Sequence, residues 1–285
     1  MVRIGELLAR KRTLSFEFFP PKTDAARLTL GKAVGELQGL EPDFVSITYG
    51  AGGSDRHRTG DVVGWMRDET TLEPMAHLTC RGHTRTEVAS LLVDYRRRNV
   101  SNILALGGDE PADGTAARSD YTYALDLLED VAASQSFSIG VAAHPEVHPR
   151  SASREEDRRH LAEKLRLADF AITQFFFDVE HWVRLRDELS DLGVDKPIIP
   201  GIMPVTNKKQ IARMAEMSGA ELPRWLTDRL SYVTEPEHVR HTGIEIAAEL
   251  CHRLLEAGAP GLHLYTLNRS ATAREIVGHL DLGDS

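Results

Sequence analysis

Cysteine is almost missing from this 285-residue chain: only Cys80 and Cys251 occur, far apart and outside any C-x-x-C spacing. Such a pair suggests neither a disulfide framework nor a zinc-thiolate site, and a reducing cytoplasm suits it best. An excess of positive charge is missing too. The 34 Lys and Arg against 43 Asp and Glu leave a net charge of −9, which argues against nucleic acid or an anionic membrane as the main partner. No stretch approaches the ~18 uninterrupted apolar residues of a membrane span. The N-terminus, Met1-Val2-Arg3-Ile4-Gly5-Glu6, lacks the apolar centre of a signal peptide. No Gly/Ser-rich or low-complexity segment separates independent halves. These absences predict a soluble cytoplasmic protein whose partners are small molecules, and they leave the number of subunits open.

What is present is a regular alternation. Short β-rich runs fall at 14–19, 44–49, 75–79, 103–106, 138–143, 170–177, 198–202 and 262–267. Between them lie polar segments with helical spacing, such as 84–98, 155–166 and 179–192. Strands separated by helix-length segments imply βαβ crossovers and a parallel sheet. Eight such units predict an α/β protein with a (β/α)8 TIM barrel, a single domain over 1–285 with extra helices between the seventh and eighth strands. Asp24 and Thr84 stand where helix N-caps are expected, and Gly193 where a helix ends.

One residue breaks the apolar pattern. In Leu14-Ser15-Phe16-Glu17-Phe18-Phe19-Pro20-Pro21, Glu17 interrupts a buried strand that the two prolines then end. A carboxylate there loses its water and is tolerated only if it is partnered or protonated. A general acid near neutral pH needs such a setting; so does a strand glutamate that merely pairs with a distant arginine. The other strand exits also carry hydrogen-bonding or titratable groups: Thr48 and Tyr49, His77 and Thr79, Gly107-Gly108-Asp109, His144 with Glu146 and His148, Gln174, and Tyr265-Thr266-Leu267-Asn268-Arg269. In a barrel these ends form the active site, so the pattern favours an enzyme. The histidines lack metal-ligand spacing, and no metal site is expected. Gly107-Gly108 is not a dinucleotide fingerprint.

Taken together, the motifs resemble the methylenetetrahydrofolate reductase family. The resemblance rests on Ser-Phe-Glu-Phe-Phe-Pro-Pro at 15–21, Ser-Ile-Thr-Tyr-Gly-Ala at 46–51, His-Leu-Thr-Cys at 77–80, Pro-Glu-Val-His-Pro at 145–149, Ile-Thr-Gln-Phe-Phe-Phe-Asp at 172–178, Ile-Pro-Gly-Ile-Met-Pro-Val at 199–205 and Tyr-Thr-Leu-Asn-Arg at 265–269. It implies a barrel that reduces 5,10-methylenetetrahydrofolate to 5-methyltetrahydrofolate. In the family, NADH or NADPH reduces a bound flavin (FAD), which passes hydride to the folate. Glu17 matches the general acid and Asp109 the carboxylate that faces the pterin. Gln174, Gln210 and Arg269 match folate contacts, with Ser15 beside them. Thr48, His77, Tyr123, Asp157 and Lys164 match flavin contacts.

Several positions depart from the family pattern. Gly107 stands where an arginine is usual, His144 where a tyrosine is frequent, and Glu163 where a basic residue is found. The link 166–169 is one residue short, and Met214 replaces a stacking aromatic. The resemblance therefore implies that the acid and the folate contacts survive while the flavin contacts are thinned. The preferred expectation is hydride transfer directly from reduced nicotinamide, with FAD weak or absent. The alternatives are a flavin-dependent ping-pong reductase and a folate-binding barrel without catalysis.

Overall fold

The computed structural model describes residues 2–49, 56–108 and 119–280. In chain order the elements are α1 (Ile4–Leu8), β1 (Thr13–Phe18), α2 (Asp24–Gln38), β2 (Phe44–Ile47), α3 (Arg56–Glu69), β3 (Pro74–Thr79), α4 (Arg85–Arg97), β4 (Asn102–Leu106), α5 (Ala124–Ala133), β5 (Ser138–Ala143), α6 (Arg154–Leu167), β6 (Phe170–Thr173), α7 (Val179–Asp191), β7 (Ile198–Ile199), β8 (Gly201–Ile202), α8 (Lys208–Ser218), α9 (Arg224–Ser231), α10 (Pro236–Glu256), β9 (Gly261–Tyr265) and α11 (Ser270–Gly278). All strand pairs are parallel, in the order β7-β6-β5-β4-β3-β2-β1-β9-β8. Pro200, which has no N–H to give, splits the seventh run into β7 on β6 and β8 on β9. That run lies at both ends of the order, so the ring closes as a TIM barrel.

The period-2 alternation of each strand assigns its two faces. Phe16, Phe18, Val45, Ile47, Ala76, Leu78, Leu262 and Leu264 belong to the large outer core, together with the buried faces of α2, α3, α4 and α10. The intervening residues point inward. Near the N-terminal ends of the strands the interior is apolar: Phe44, Met75, Leu104, Phe170, Ile172 and Ile199 pack with Ile4 and Leu8 of α1. This short helix acts as a plug. Its first N–H groups, which have no intrahelical acceptor, donate to barrel side chains: Ile4 N–H to Asn102 Oδ1 at 2.9 Å and Gly5 N–H to Ser138 Oγ at 3.0 Å. At the opposite end α8, α9 and α10 build a smaller core with Phe175, Phe177, Met203 and Val205.

Eight predicted runs became the eight staves of the barrel, and the connection before β9 holds three helices. Two boundaries moved. The sixth strand stops at Thr173 instead of running to 177, because Phe175 and Phe177 turn away to cover the upper core. Thr23, not Asp24, caps α2, its side chain accepting from the Ala26 N–H at 3.1 Å, and Asp24 becomes the first helical residue. Thr84 caps α4 with a reciprocal bond from Glu87, and Gly193 takes the left-handed conformation after α7 at φ 74°. Among the described residues no helix is long and apolar enough to cross a membrane.

Two helical glycines separate backbone propensity from close packing. A Cβ at Gly243, in α10, would lie 1.8 Å from the Val205 carbonyl oxygen, whereas nothing lies within 4 Å of one at Gly35, in α2. Gly243→Ala is expected to destabilise by about 3 kcal/mol. Gly35→Ala is expected to stabilise by roughly 0.5–1 kcal/mol. Urea denaturation of both variants checks the pair, and equal effects would contradict the close approach.

Candidate active site

β1 and its two neighbours bring the central groups together. The register sets Glu17 opposite Ser46 of β2 and opposite Tyr265 of β9, while Ser15 lies opposite His263 one inward position deeper. His77 comes from β3. The Glu17 side chain keeps 12% of its exposure, and its Oε2 lies 3.4 Å from Ser46 Oγ, 3.6 Å from His77 Nε2 and 3.7 Å from His263 Nε2. It is surrounded but not clamped. Below it His263, completely buried, stacks on Phe44 of β2 at 6.1 Å and contacts Ser15 Oγ through Nδ1 at 2.8 Å. Tyr265 donates to the Thr173 carbonyl at 2.6 Å, and Gly201 is what lets it pass: a Cβ there would lie 2.7 Å from the ring.

The exit of β1 is fixed by the chain after β9. Thr266 Oγ1 donates to the Glu17 carbonyl at 2.6 Å, and the Asn268 amide spans the Phe19 backbone, accepting from its N–H at 2.8 Å and donating to its carbonyl at 2.9 Å. Leu267 and Asn268 adopt positive φ to make this turn.

The other expected positions divide into several groups. Asp109 lies outside the described residues; Gly108, which precedes it, has φ 79° at the exit of β4. Ser15 is fully buried and also donates to the Leu262 carbonyl at 3.1 Å, so it sits beneath Glu17. Gln174 follows β6, half-buried, its Oε1 accepting from the Phe175 N–H at 2.9 Å. Gln210 lies in a groove with Met203, Pro204, Ile211, Met214 and Leu267. Arg269 is exposed at the start of α11. Thr48 is half-buried just beyond β2, and Tyr123 is 71% exposed at the start of α5.

The residues expected around a flavin's phosphates are occupied within the protein. Asp157, 7% exposed, pairs with Arg158 and accepts from the His148 N–H and Ser151 Oγ, each at 3.2 Å. Arg158 in turn holds Glu188 at 2.6 Å and donates to the carbonyls of His144, Pro145 and Glu146. Lys164 donates to the Ala142 carbonyl at 3.2 Å, and burial pushes its pKa down, with Asp157 opposing. His144 packs edge-on against His148 at 4.5 Å. Asp157 is thus paired within its own loop, and Lys164 spends one of its three ammonium protons on a backbone carbonyl.

Sequence reasoning missed Ser46 and His263 as parts of the site, and it placed Thr266 and Asn268 at the last strand exit without a role. The alternation Gly261-Leu262-His263-Leu264-Tyr265 carried the signal for His263, since it puts a polar residue on the face that Ser15 and Glu17 share. It also missed a clasp between loops. Glu146 meets His181 at 3.1 Å and accepts from the Glu221 N–H, and one ligand-type atom from each of the three residues lies within 4.8 Å of the others. The pKa of His181 is raised, chiefly by the hydrogen bond with Glu146.

A closed parallel barrel with a partly buried carboxylate at its polar mouth defines a TIM-barrel enzyme. The family model described as methylenetetrahydrofolate reductase matches residues 3–281. A 5,10-methylenetetrahydrofolate reductase of Pectobacterium carotovorum subsp. carotovorum is 39% identical over 265 residues, 92% of this chain and 88% of that protein. Methylenetetrahydrofolate reductase (NADH) 1 of Arabidopsis thaliana is 34% identical over 286 residues, covering 95% of this chain and 48% of the plant protein. The chain belongs to the methylenetetrahydrofolate reductase family and is an oxidoreductase of that class. Its fold is shared by a Clostridium thermocellum protein described as binding two copies of 5-methyl-5,6,7,8-tetrahydrofolic acid, with a TM-score of 0.69 at 15% identity over 96% of this chain and 95% of that one.

The buried histidines make stability depend on pH. Burial lowers the pKa of His77 to about 4, with Glu17 opposing and His263 adding, and that of His144 to about 3, reinforced by His148, Lys164, Arg158 and Arg150. Unfolded histidines take up a proton near about 6.5. The unfolded chain therefore binds more protons below that pH, so this contribution is complete above about 6.5 and is lost as pH falls, by up to about 1.4 kcal/mol per pH unit for each histidine. Unfolding free energies measured between pH 7 and pH 5 should show this decline. His144→Gln should flatten it, and an unchanged slope would contradict the assignment.

Proposed function

We propose that this chain, as a single catalytic domain over 1–285, reduces 5,10-methylenetetrahydrofolate to 5-methyltetrahydrofolate with hydride taken directly from NADH and no flavin between them. The observation that carries the reading is the placement of Glu17 at the barrel mouth with three polar neighbours at 3.4–3.7 Å and none closer among the described residues. Glu17 gives its proton to the bridging amine nitrogen, the carbon–nitrogen bond of the five-membered ring breaks, and the resulting iminium carbon accepts the hydride. The products are NAD⁺ and the methyl folate. Asp109 accepts from the guanidine-like edge of the pterin and favours the developing cation. Gln174, Gln210 and Arg269 serve as folate contacts, with Ser15 beneath them supporting His263. Thr48 and His77 border the space in which the nicotinamide lies against the folate, and direct transfer needs the reacting carbons about 3–3.5 Å apart.

Three observations support transfer without flavin. Asp157 and Lys164 already bond within the protein. Gly107 offers no side chain where the family places an arginine, and the exposed Glu163 adds negative charge where a diphosphate would lie. NADH is the donor named for the Arabidopsis thaliana relative, and we carry it to this chain.

Two measurements test the reading. The purified protein should lack a stoichiometric absorbance band near ~450 nm, and initial-rate lines should intersect, as a ternary complex requires. A flavin band with parallel lines would establish the ping-pong route instead. Glu17→Gln should lower turnover by roughly 10²–10⁴-fold while folate binding persists. Loss of binding along with turnover would mean that Glu17 is structural, and undiminished turnover would remove it as the acid.

A further inference from the structure

The hydrogen bonds beneath Glu17 fix which nitrogen of His263 is basic. Ser15 Oγ has one proton, and it points at the Leu262 carbonyl, 3.1 Å away. The lone pairs of that oxygen therefore face His263 Nδ1 at 2.8 Å, so Nδ1 carries the hydrogen. In the neutral ring Nε2 is then bare. It faces Ser46 Oγ at 3.3 Å and Glu17 Oε2 at 3.7 Å, and Ser46 Oγ also lies 3.4 Å from Glu17 Oε2. A single hydroxyl thus stands between the acid and a fully buried base.

The other groups facing Glu17 are differently disposed. Tyr265, from β9, gives its proton to the Thr173 carbonyl, and burial holds its pKa well above the usual phenol value. His77, from β3, lies 3.6 Å from Glu17 Oε2, with no hydrogen-bond partner on Nε2 among the described residues. Its pKa of about 4, lowered by burial, keeps it neutral near pH 7.

We propose that Glu17 and His263 hold one proton in common, exchanged through the Ser46 hydroxyl, so that the acid of the folate step is one half of a buried pair. This rests on Glu17 being the proton donor proposed above. In one state the Glu17 carboxyl donates to Ser46 Oγ, and the Ser46 hydroxyl donates to His263 Nε2. In the other, His263 Nε2–H donates to Ser46 Oγ, and the hydroxyl donates to the Glu17 carboxylate. The states interconvert when one proton crosses each hydrogen bond, with no electron transfer and no heavy-atom rearrangement. When Glu17 protonates the folate nitrogen the pair is left empty, and a proton from solvent, arriving at the exposed edge of Glu17, refills it. Because the proton belongs to the pair, both groups and not Glu17 alone govern when it is given up. Ser46 and His263 are positioning residues in this scheme, since only Glu17 meets the substrate.

The test is the pH dependence of single-turnover folate reduction with NADH. His263→Asn keeps an N–H for Ser15 and removes the titrating nitrogen; Ser46→Ala removes only the bridge and adds no volume. For His263→Asn the alkaline fall in rate should move at least about one pH unit lower, which is roughly ten-fold in rate at a fixed pH on that limb. The rate should recover at lower pH, with folate affinity unchanged. Ser46→Ala should move the limb in the same direction by less, and it decides the question if His263→Asn fails to fold. A uniform loss at every pH, with the limb unmoved, would mean a structural role and overturn the proposal. Glu17→Gln separates the two levels: if it stays active, the assignment of the acid fails. If it is inactive while both other variants keep the parental limb, only the shared proton fails.

Discussion

Placing a carboxylate inside a closed ring of parallel strands is the constraint on which the rest of this structure depends. Glu17 replaces a position that would otherwise be apolar filling, and without hydrogen-bonding neighbours its desolvation would cost several kcal/mol. The barrel meets that demand through register. Ser46 and Tyr265 lie level with Glu17 because β2 and β9 pair with β1 as they do, and His263 lies below because it pairs with Ser15. A shift of β9 by one residue would turn both His263 and Tyr265 outward into the helix layer. The bonds from Thr266 and Asn268 to the exit of β1 oppose such a shift, so the motif after the last strand supports the acid without touching it.

The opposite rim follows another logic. The loop between β5 and α6 is organised by Arg158, whose guanidinium gathers three successive carbonyls, Asp157 and Glu188. Five donors in a rigid fork suit that task. The consequence reaches one candidate cofactor position: Asp157 and Arg158 neutralise each other within the loop. A carboxylate that elsewhere in the family is expected near a cofactor is here part of the loop's own scaffold. The clasp of Glu146, His181 and Glu221 joins the same loop to α7 and to the segment between α8 and α9, so these pieces of the rim are tied by short polar contacts.

Much of the barrel was legible because period and length were enough. Eight β-rich runs separated by helix-length segments admit few topologies, and Pro200, Thr84 and Gly193 act through local backbone chemistry visible in the residue type. Glu17 was legible as an exception to its own strand. The remainder depended on distance in space. Ser15 is set beside the folate contacts by the family resemblance, but the plug raised by α1 leaves it in the closed part of the interior. In α6 the run Arg-Glu-Glu-Asp-Arg-Arg-His gives several charges with equal claims, and only packing shows that Asp157 and Arg158 turn inward while Glu155 and Arg159 face solvent. Ser46 looked like an ordinary small strand residue until register set it beside Glu17.

The distances around Glu17 also explain why this carboxylate suits proton donation rather than charge storage. A contact near 2.7 Å to a permanent cation would stabilise the ionised form and make the proton hard to recover. Among the described residues no lysine or arginine pairs with that carboxylate, and the nitrogens beside it belong to two histidines at 3.6 and 3.7 Å. Burial keeps His77 neutral near pH 7, so it sets no fixed positive charge beside Glu17, unlike an arginine. The apolar plug below excludes water from the base of the chamber, which strengthens each polar contact that remains. A dry floor, a neutral His77 and one partly open side together leave a carboxyl group that faces the mouth on one side and Ser46 and His263 on the other.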